Sequence, residues 1–404
     1  MKNCIVAQSG GPTSVINSSV IGIFKENLKQ KYFDNVYCGL HGIEGILNNY
    51  IINLTEIGYE NIKHFKYTPS SGLGSCRYKL EEFNNCNEDY LKLFQIFNEL
   101  NIEAFFYIGG NDSMDTVDKL SSYAKEINSH IKFIGIPKTI DNDLYATDHT
   151  PGFGSAAKLI ATTVLETYLD SSVYLNNGIF ILETMGRNTG WLGASAALAQ
   201  LDGQPVADFI YLPEQVFNMD KFLEDVRRKY EEQNKVYIVV SEGIKNEKGE
   251  FIVESEAMPH DEFGHKQLGG IGDLLKEVII NSGITSRVKA LELGVMQRCA
   301  MHCASLTDIE EAFNAGAHAL ELFNKGYTGV MVAFKRISNN PYKCIMEDVD
   351  VKLVANEIKY FPKEWINEAG NHVDLRALDY LRPLIEGSPQ LEYENGLPVY
   401  KKLI

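Results

Sequence analysis

The sequence predicts an α/β protein, doubly wound, with mostly parallel sheets. Three observations carry that prediction. Short apolar runs alternate with helical patterns; most of the runs are continuously apolar rather than alternating; and several end in turns rich in glycine or carboxylates. Continuous apolar runs suit parallel strands buried on both faces. Strand–helix alternation winds such strands into sheets covered by helices.

The predicted strands are, in order, Cys4–Ala7, Val36–Leu40, Ala104–Ile108, Ile131–Ile136, Gly178–Glu183, Phe209–Leu212, Val236–Ser241, Ala290–Leu293 and Gly329–Phe334. Helical patterns lie between them at Asp115–Ile127, Phe153–Tyr168 and Met219–Tyr230. A further one, Asp308–Phe323, opens with Thr307 and Glu310 in capping-box spacing, and Ile309, Phe313, Leu320 and Phe323 give it an apolar face. At 404 residues the chain exceeds the size at which one core keeps growing, so two domains are expected. No short tandem repeat or low-complexity linker interrupts it, and the tail after Asp348 is more polar and less regular.

A 45% hydrophobic and 23% charged composition is ordinary for a soluble globular protein. The formal net charge of −16 argues against nucleic acid as the main partner, which would need a basic surface. It leaves room for small phosphorylated ligands held by a local cluster of Arg and Lys. Seven cysteines, scattered from Cys4 to Cys344, read as reduced thiols in a cytoplasmic protein. Cys299, His302 and Cys303 lack the second ligand pair that a structural zinc site would need. No apolar stretch approaches a membrane span. The N-terminus runs straight into a strand-like segment, with no room for a signal peptide.

In doubly wound folds ligands gather at the carboxyl ends of the strands. The first run ends in Ser9-Gly10-Gly11-Pro12-Thr13. Paired glycines let backbone N–H groups approach a phosphate, although a tight turn alone would also use them. The third ends in Gly109-Gly110-Asn111-Asp112-Ser113, where Asp112 or Ser113 could simply cap the next helix. The fourth ends in Pro137-Lys138-Thr139-Ile140-Asp141-Asn142-Asp143. Two carboxylates, a hydroxyl and a lysine after a buried strand point to chemistry, because a surface turn would need only the Asp and Asn. Later runs lead into Glu183-Thr184-Met185-Gly186-Arg187 and Ser241-Glu242-Gly243, and further cations sit at Arg77, Arg287, Lys289 and Arg298.

Taken together, these segments, with Gln297-Arg298, resemble the phosphofructokinase family from Cys4 to about Phe334. The resemblance implies two Rossmann-like doubly wound domains: 1–150 with 297–347 binding the donor, and 151–296 with 348–404 binding a sugar phosphate. It further implies Mg²⁺-dependent phosphoryl transfer to the 1-hydroxyl of fructose 6-phosphate, in a homodimer or homotetramer. By the same resemblance Asp141 is the general base, and Thr139 and Asp143 hold the sugar and the loop. Met185, Gly186, Arg187 and Glu242 bind the sugar, and Arg298 binds its 6-phosphate. Lys289 stands where many relatives place Arg, supplied by the neighbouring subunit. Gly11, Arg77 and Ser113 are donor-side groups.

Two departures bear on the donor. Where many ATP-using relatives read Gly-Gly-Asp-Gly, this chain has Gly109-Gly110-Asn111-Asp112, so the metal-associated position is Asn111 and a carboxylate follows at Asp112. Lys138 replaces the glycine that usually precedes Thr-Ile-Asp. Asp112 would repel a nucleotide's α-phosphate, and Lys138 would offer an ammonium to compact pyrophosphate. Both resemble the pyrophosphate-dependent branch. Gly178 and Val295 fall where bacterial ATP enzymes have a phosphate-binding Arg and a sugar-contacting His. The alternatives are an ATP-dependent relative with an altered donor pocket, a lipid or NAD kinase, and an inactive ligand-sensing paralogue.

Overall fold

The computed structural model describes residues 2–175, 177–253 and 268–403. In chain order the elements used below are β1 (Asn3–Gln8), α1 (Ile16–Gln30), β2 (Asn35–Gly39), β3 (Ile51–Asn53), α2 (Glu88–Glu99), β4 (Ile102–Gly109), α3 (Asn111–Glu126) and β5 (Lys132–Pro137). Next come α4 (Phe153–Ser171), β6 (Ile179–Thr184), β7 (Phe209–Tyr211), α5 (Met219–Gln233), β8 (Val236–Ser241), α6 (Ile271–Asn281) and β9 (Val288–Glu292). The chain ends with α7 (Leu306–Asn324), β10 (Val330–Asn339), β11 (Tyr342–Asp350) and the short α8 (Leu375–Leu381).

Two compact units result. Unit 1 holds Met1–Ser155, Arg298–Lys359 and Glu386–Ile404, and unit 2 holds Ala156–Gln297 and Tyr360–Ile385. The tail is therefore split, and 348–359 and 386–404 belong with the first unit rather than the second. The reason is packing: Val351 and Val354 are buried in the same apolar cluster as β1 and β4, and Thr68 exchanges hydrogen bonds with the backbone of Lys401.

Unit 1 carries a sheet of order β11-β10-β5-β4-β1-β2-β3. The strands from β2 to β10 run parallel, while β3 and β11 pair antiparallel at the two edges. Both faces are covered, as the continuous apolar runs require. Cys4, Val6, Phe106 and Ile108 pack with α1 and α7 residues such as Val20 and Leu320. The alternate residues Ile5, Ala7, Phe105 and Tyr107 pack with Phe94 and Phe97 of α2 and Val117 of α3. The cap of α7 differs from the expected Thr307: Ser305 accepts the N–H of Asp308. The helix thus starts earlier, with Ser305 fully buried.

Unit 2 carries a parallel sheet of order β9-β6-β8-β7. Ile181, Ile238 and Val240 meet Phe222 of α5 and Leu275 of α6 on one face. On the other face Phe180 stacks on Tyr237 with ring centroids 5.2 Å apart. No described helix is long and apolar enough to cross a membrane.

Candidate active site

In unit 1 the strand order reverses at β1, which has β2 on one side and β4 on the other. The turns leaving β1 and β4, Gly10–Thr13 and Gly110–Ser113, therefore flank a switch point. The 75–77 segment is sewn to the first turn. The Gly10 N–H donates to Cys76 O at 3.0 Å, and the Ser75 hydroxyl donates to Gly10 O at 2.6 Å. This brings Arg77 to the site.

Lys138, at the end of β5, is only 3% exposed. Its ammonium donates to the Gly11 carbonyl and lies 3.4 Å from where a Cβ on Gly10 would stand. Burial pulls its pKa down to about 8; Asp141 and Asp143 act to raise it, and Arg298 and Arg77 to lower it further. Five sequence-predicted residues thus share one electrostatic neighbourhood. Arg298 sits on the donor side of unit 1, with Nη1 3.5 Å from the position a Cβ would take on Gly11.

The β4 turn separates two residues that the sequence offered together for the metal. Asn111 is engaged by its amide: Nδ2 donates to Val354 O at 3.1 Å and Glu357 O at 2.6 Å. Its Oδ1 accepts the N–H of Asn356 at 2.6 Å. Asn111 therefore fastens the 354–357 turn. Asp112 opens α3 half-buried, where a helix N-terminus favours negative charge, and among the described residues no hydrogen bond to its carboxylate is found. Ser113 is buried, folded back so that a Cβ on Gly109 would come 1.9 Å from its hydroxyl.

The loop after Lys138 is tightly specified. Thr139 Oγ1 accepts the N–H of Asp141 at 3.1 Å, and its carbonyl accepts from Thr150 at 2.9 Å. Asn142 takes a left-handed conformation, φ 52°. Burial raises the pKa of the Asp143 carboxyl, against the opposing pull of its own backbone N–H, Lys359, the Thr139 hydroxyl and Lys138. Lys359 is the residue that the sequence did not signal, one of several lysines in a polar tail.

Unit 2 builds a second constellation at its own switch point, between the ends of β6 and β8. The Met185 N–H donates to Gln297 Oε1 at 3.1 Å and the Gly186 N–H to Glu242 Oε1 at 3.2 Å. Gly186 has φ +133°, and a Cβ on Gly243 would come 2.0 Å from Arg187 O. Only glycine at both positions lets the two turns close on each other. Burial raises Glu242, while the Gly186 N–H and Arg187 oppose it. Glu183 receives the N–H groups of Gly270 and Gly272 at 2.9 and 2.8 Å, yet burial still pushes it up to about 7. Met185, Gly186, Arg187 and Glu242 are thus brought together. Lys289 is not: it points from edge strand β9, exposed, 3.5 Å from Asp170. Gly178 has no room for a side chain, since a Cβ would lie 2.2 Å from Arg287 O, and Val295 is 58% exposed.

Among the described residues the metal-like group of three is His149, Glu311 and Cys344; Cys299, His302 and Cys303 do not form one. His149 already binds Asp148 and Glu311 at 2.7 Å each, and its nitrogen and sulfur donors suit Mg²⁺ poorly. Asp112, a hard oxygen donor, suits it better.

Comparison with known proteins matches residues 3–323 to the family described as Phosphofructokinase. A Methylococcus capsulatus protein named pyrophosphate–fructose 6-phosphate 1-phosphotransferase is 38% identical, covering 100% of this chain and 96% of that protein. An Alkalicoccus urumqiensis protein named sulfofructose kinase is 33% identical over 87% of this chain and 88% of its own length. The crystal structure of a pyrophosphate-dependent phosphofructokinase from Marinobacter aquaeolei superimposes with a TM-score of 0.88 at 35% identity, covering 100% of this chain and 96% of that one.

Proposed function

The chain belongs to the phosphofructokinase family, and on that premise we propose that it transfers a phosphoryl group from pyrophosphate to the 1-hydroxyl of fructose 6-phosphate. Fructose 1,6-bisphosphate and phosphate are the products. Relatives of near-full-length coverage carry that activity in their names. The observation that carries the choice of donor is the buried Lys138 ammonium beside Gly10 and Gly11, with Asp112 at the neighbouring strand end. A compact tetra-anion matches a buried cation; a nucleotide would bring its α-phosphate to a carboxylate.

The chemistry then needs little covalent work from the protein. Asp141 takes the proton of the sugar hydroxyl as the new O–P bond forms and the bridging P–O bond of pyrophosphate breaks. Thr139 and Asp143 fix the loop and the hydroxyl. Arg77 and Lys138 neutralise charge on the donor, and Arg298, standing beside Gly11, joins them or reaches the sugar's 6-phosphate. Met185, Gly186, Arg187 and Glu242 hold the sugar. Asp112 would hold Mg²⁺, which would supply charge neutralisation on the phosphate oxygens.

The enzyme works in the cytoplasm as a homodimer or homotetramer. Lys289 is exposed within its own chain, as a residue serving a neighbouring subunit would be, and the exposed Leu169, Val173, Tyr174, Leu175 and Leu291 in unit 2 offer an apolar surface for that neighbour. One steady-state panel tests the reading: fructose 6-phosphate and Mg²⁺ with pyrophosphate, ATP or another nucleotide. Turnover with pyrophosphate well above every nucleotide supports it, and preference for ATP overturns the donor. Sugar-phosphate binding by calorimetry without turnover would mark an inactive paralogue.

A further inference from the structure

After β11 the chain runs along unit 1 as a strap, 351–359, fastened at both ends. Near its start Val351 and Val354 are buried, and the Asn111 amide grips residues 354–357 as described above. Its end is held to the loop that carries Asp141. Ile358 bridges Leu144, and the Lys359 N–H donates to Asp143 O at 2.8 Å. The Lys359 ammonium donates to Asn142 Oδ1 at 3.0 Å, Thr147 O at 3.2 Å and Asp148 O at 2.7 Å.

The point of attachment matters. Asn142 lies between Asp141 and Asp143, is fully buried, and holds a positive φ that asparagine tolerates better than most residues but does not prefer. Whatever fixes that kink fixes the direction in which the preceding carboxylate leaves the backbone. The Asn142 amide is pinned by Lys359, across 217 residues of sequence.

We propose that Lys359 is a positioning residue for the phosphoryl-transfer base: through Asn142 it sets the place of Asp141, and its charge lies where it favours the ionised form of Asp143. The inference rests on the functional reading above. The charged groups facing the ammonium are Asp148 and Asp143, which favour its protonated form, and Arg336, which opposes it. Lys359 and Lys138 act on Asp143 to favour its ionised form. Asp148 is itself paired with His149 and Arg336. Burial pulls Lys359 down to about 7, so the clamp is sensitive to the charges around it.

The test uses the full-length enzyme with whichever donor supports turnover in the panel above, so a wrong donor and a wrong clamp are read separately. Lys359→Met should lower kcat by on the order of 10²-fold, the loss that a small misplacement of a reacting group brings, with both KM values within about threefold of wild type. The acid limb of the kcat–pH profile should move to higher pH, because Asp143 loses a neighbouring cation. Lys359→Arg should leave that limb near its wild-type position. A Lys359→Met enzyme with kcat within threefold of wild type, or with an unmoved acid limb, overturns the proposal. Should Lys359→Met fail to fold, Asn142→Ala carries the test: it deletes the acceptor and no charge, so kcat should fall with the acid limb unmoved. An unchanged kcat in that variant refutes the clamp.

Discussion

The Lys138–Asp143 loop of unit 1 and the Met185–Arg187 turn of unit 2 both leave a buried parallel strand, yet they are held by different means. The unit 2 turn is held by backbone against backbone. Gly186 and Gly243 bring two turns within van der Waals contact, and Glu242 collects an N–H from the facing turn. The unit 1 loop is held by charged and amide side chains arriving from far along the chain. Lys359 comes from 217 residues beyond Asn142, and Asn111 reaches 243 residues to Val354. Glycine packing tolerates no added atom and has no pH dependence of its own, so in that turn such dependence comes through the Glu242 carboxyl. A clamp of buried charges tolerates conservative change but answers to pH. The two halves of the chemistry should therefore fail in different ways.

The largest effect belongs to Asp141, the proposed base. Asp141→Asn keeps shape and removes the proton acceptor, so kcat should drop by about 10²–10⁴-fold while sugar-phosphate binding stays nearly intact. If more than about a tenth of wild-type kcat survives, the base is elsewhere.

Arg298→Ala comes next, because removing one partner of a partly buried charge pair costs on the order of 2–5 kcal/mol. The family resemblance assigns Arg298 to the sugar's 6-phosphate, and the residue sits beside Gly11, a proposed donor group. The ratio of the two KM changes decides. A larger rise for fructose 6-phosphate keeps the first assignment, and a larger rise for pyrophosphate gives Arg298 to the donor.

Gly243→Ala probes the glycine-packed turn. Its Cβ would sit 2.0 Å from the Arg187 carbonyl, and the backbone can yield only by reopening the two turns, at a cost of about 1–3 kcal/mol. KM for fructose 6-phosphate should rise, with KM for pyrophosphate near wild type. Equal changes in both would mean that the turn's geometry is not local to the sugar.

The same contrast explains what could be read in advance. The strand-end turns were legible, because buried strands announce themselves by composition and the turns after them by Gly-Gly, Thr-Ile-Asp or Met-Gly-Arg. Those patterns are local. The role of Asn111 was misleading, because its place beside Asp112 resembles a ligand position, and nothing nearby shows that its amide is occupied by 354–357. Lys359 left no signal at all, since a lysine in a polar tail usually means solvation. The α7 cap was offset for a related reason: Thr307 and Ser305 both fit the spacing, and only burial of the chain beside Glu386, which accepts from Ser305 Oγ at 3.1 Å, selects the earlier residue.

The smallest predicted effect tests whether unit 1 is indeed the half governed by buried charge. His149, a few residues past the base loop, is 3% exposed and lies between Asp148 and Glu311. Glu311 also accepts the Tyr342 hydroxyl at 2.6 Å, and Arg336 pairs with Asp148 at 2.9 Å. Burial works against the imidazolium, but Glu311 and Asp148 outweigh it and push the pKa up to about 9. The folded value is thus raised above an unfolded value near 6.5. The folded state binds the extra proton, so the stabilisation is fully present below about pH 6.5 and is lost as pH rises through 9. Between pH 7 and 9 the change should be on the order of 1–2 kcal/mol, or a few degrees in Tm. His149→Gln removes the titrating group, so the Tm gap between wild type and variant should be widest near pH 6 and narrow steadily towards pH 10. A gap that stays constant over that range would mean that His149 is neutral in the folded protein, and the clamp at the end of the base loop would then be one of packing, like its counterpart in unit 2.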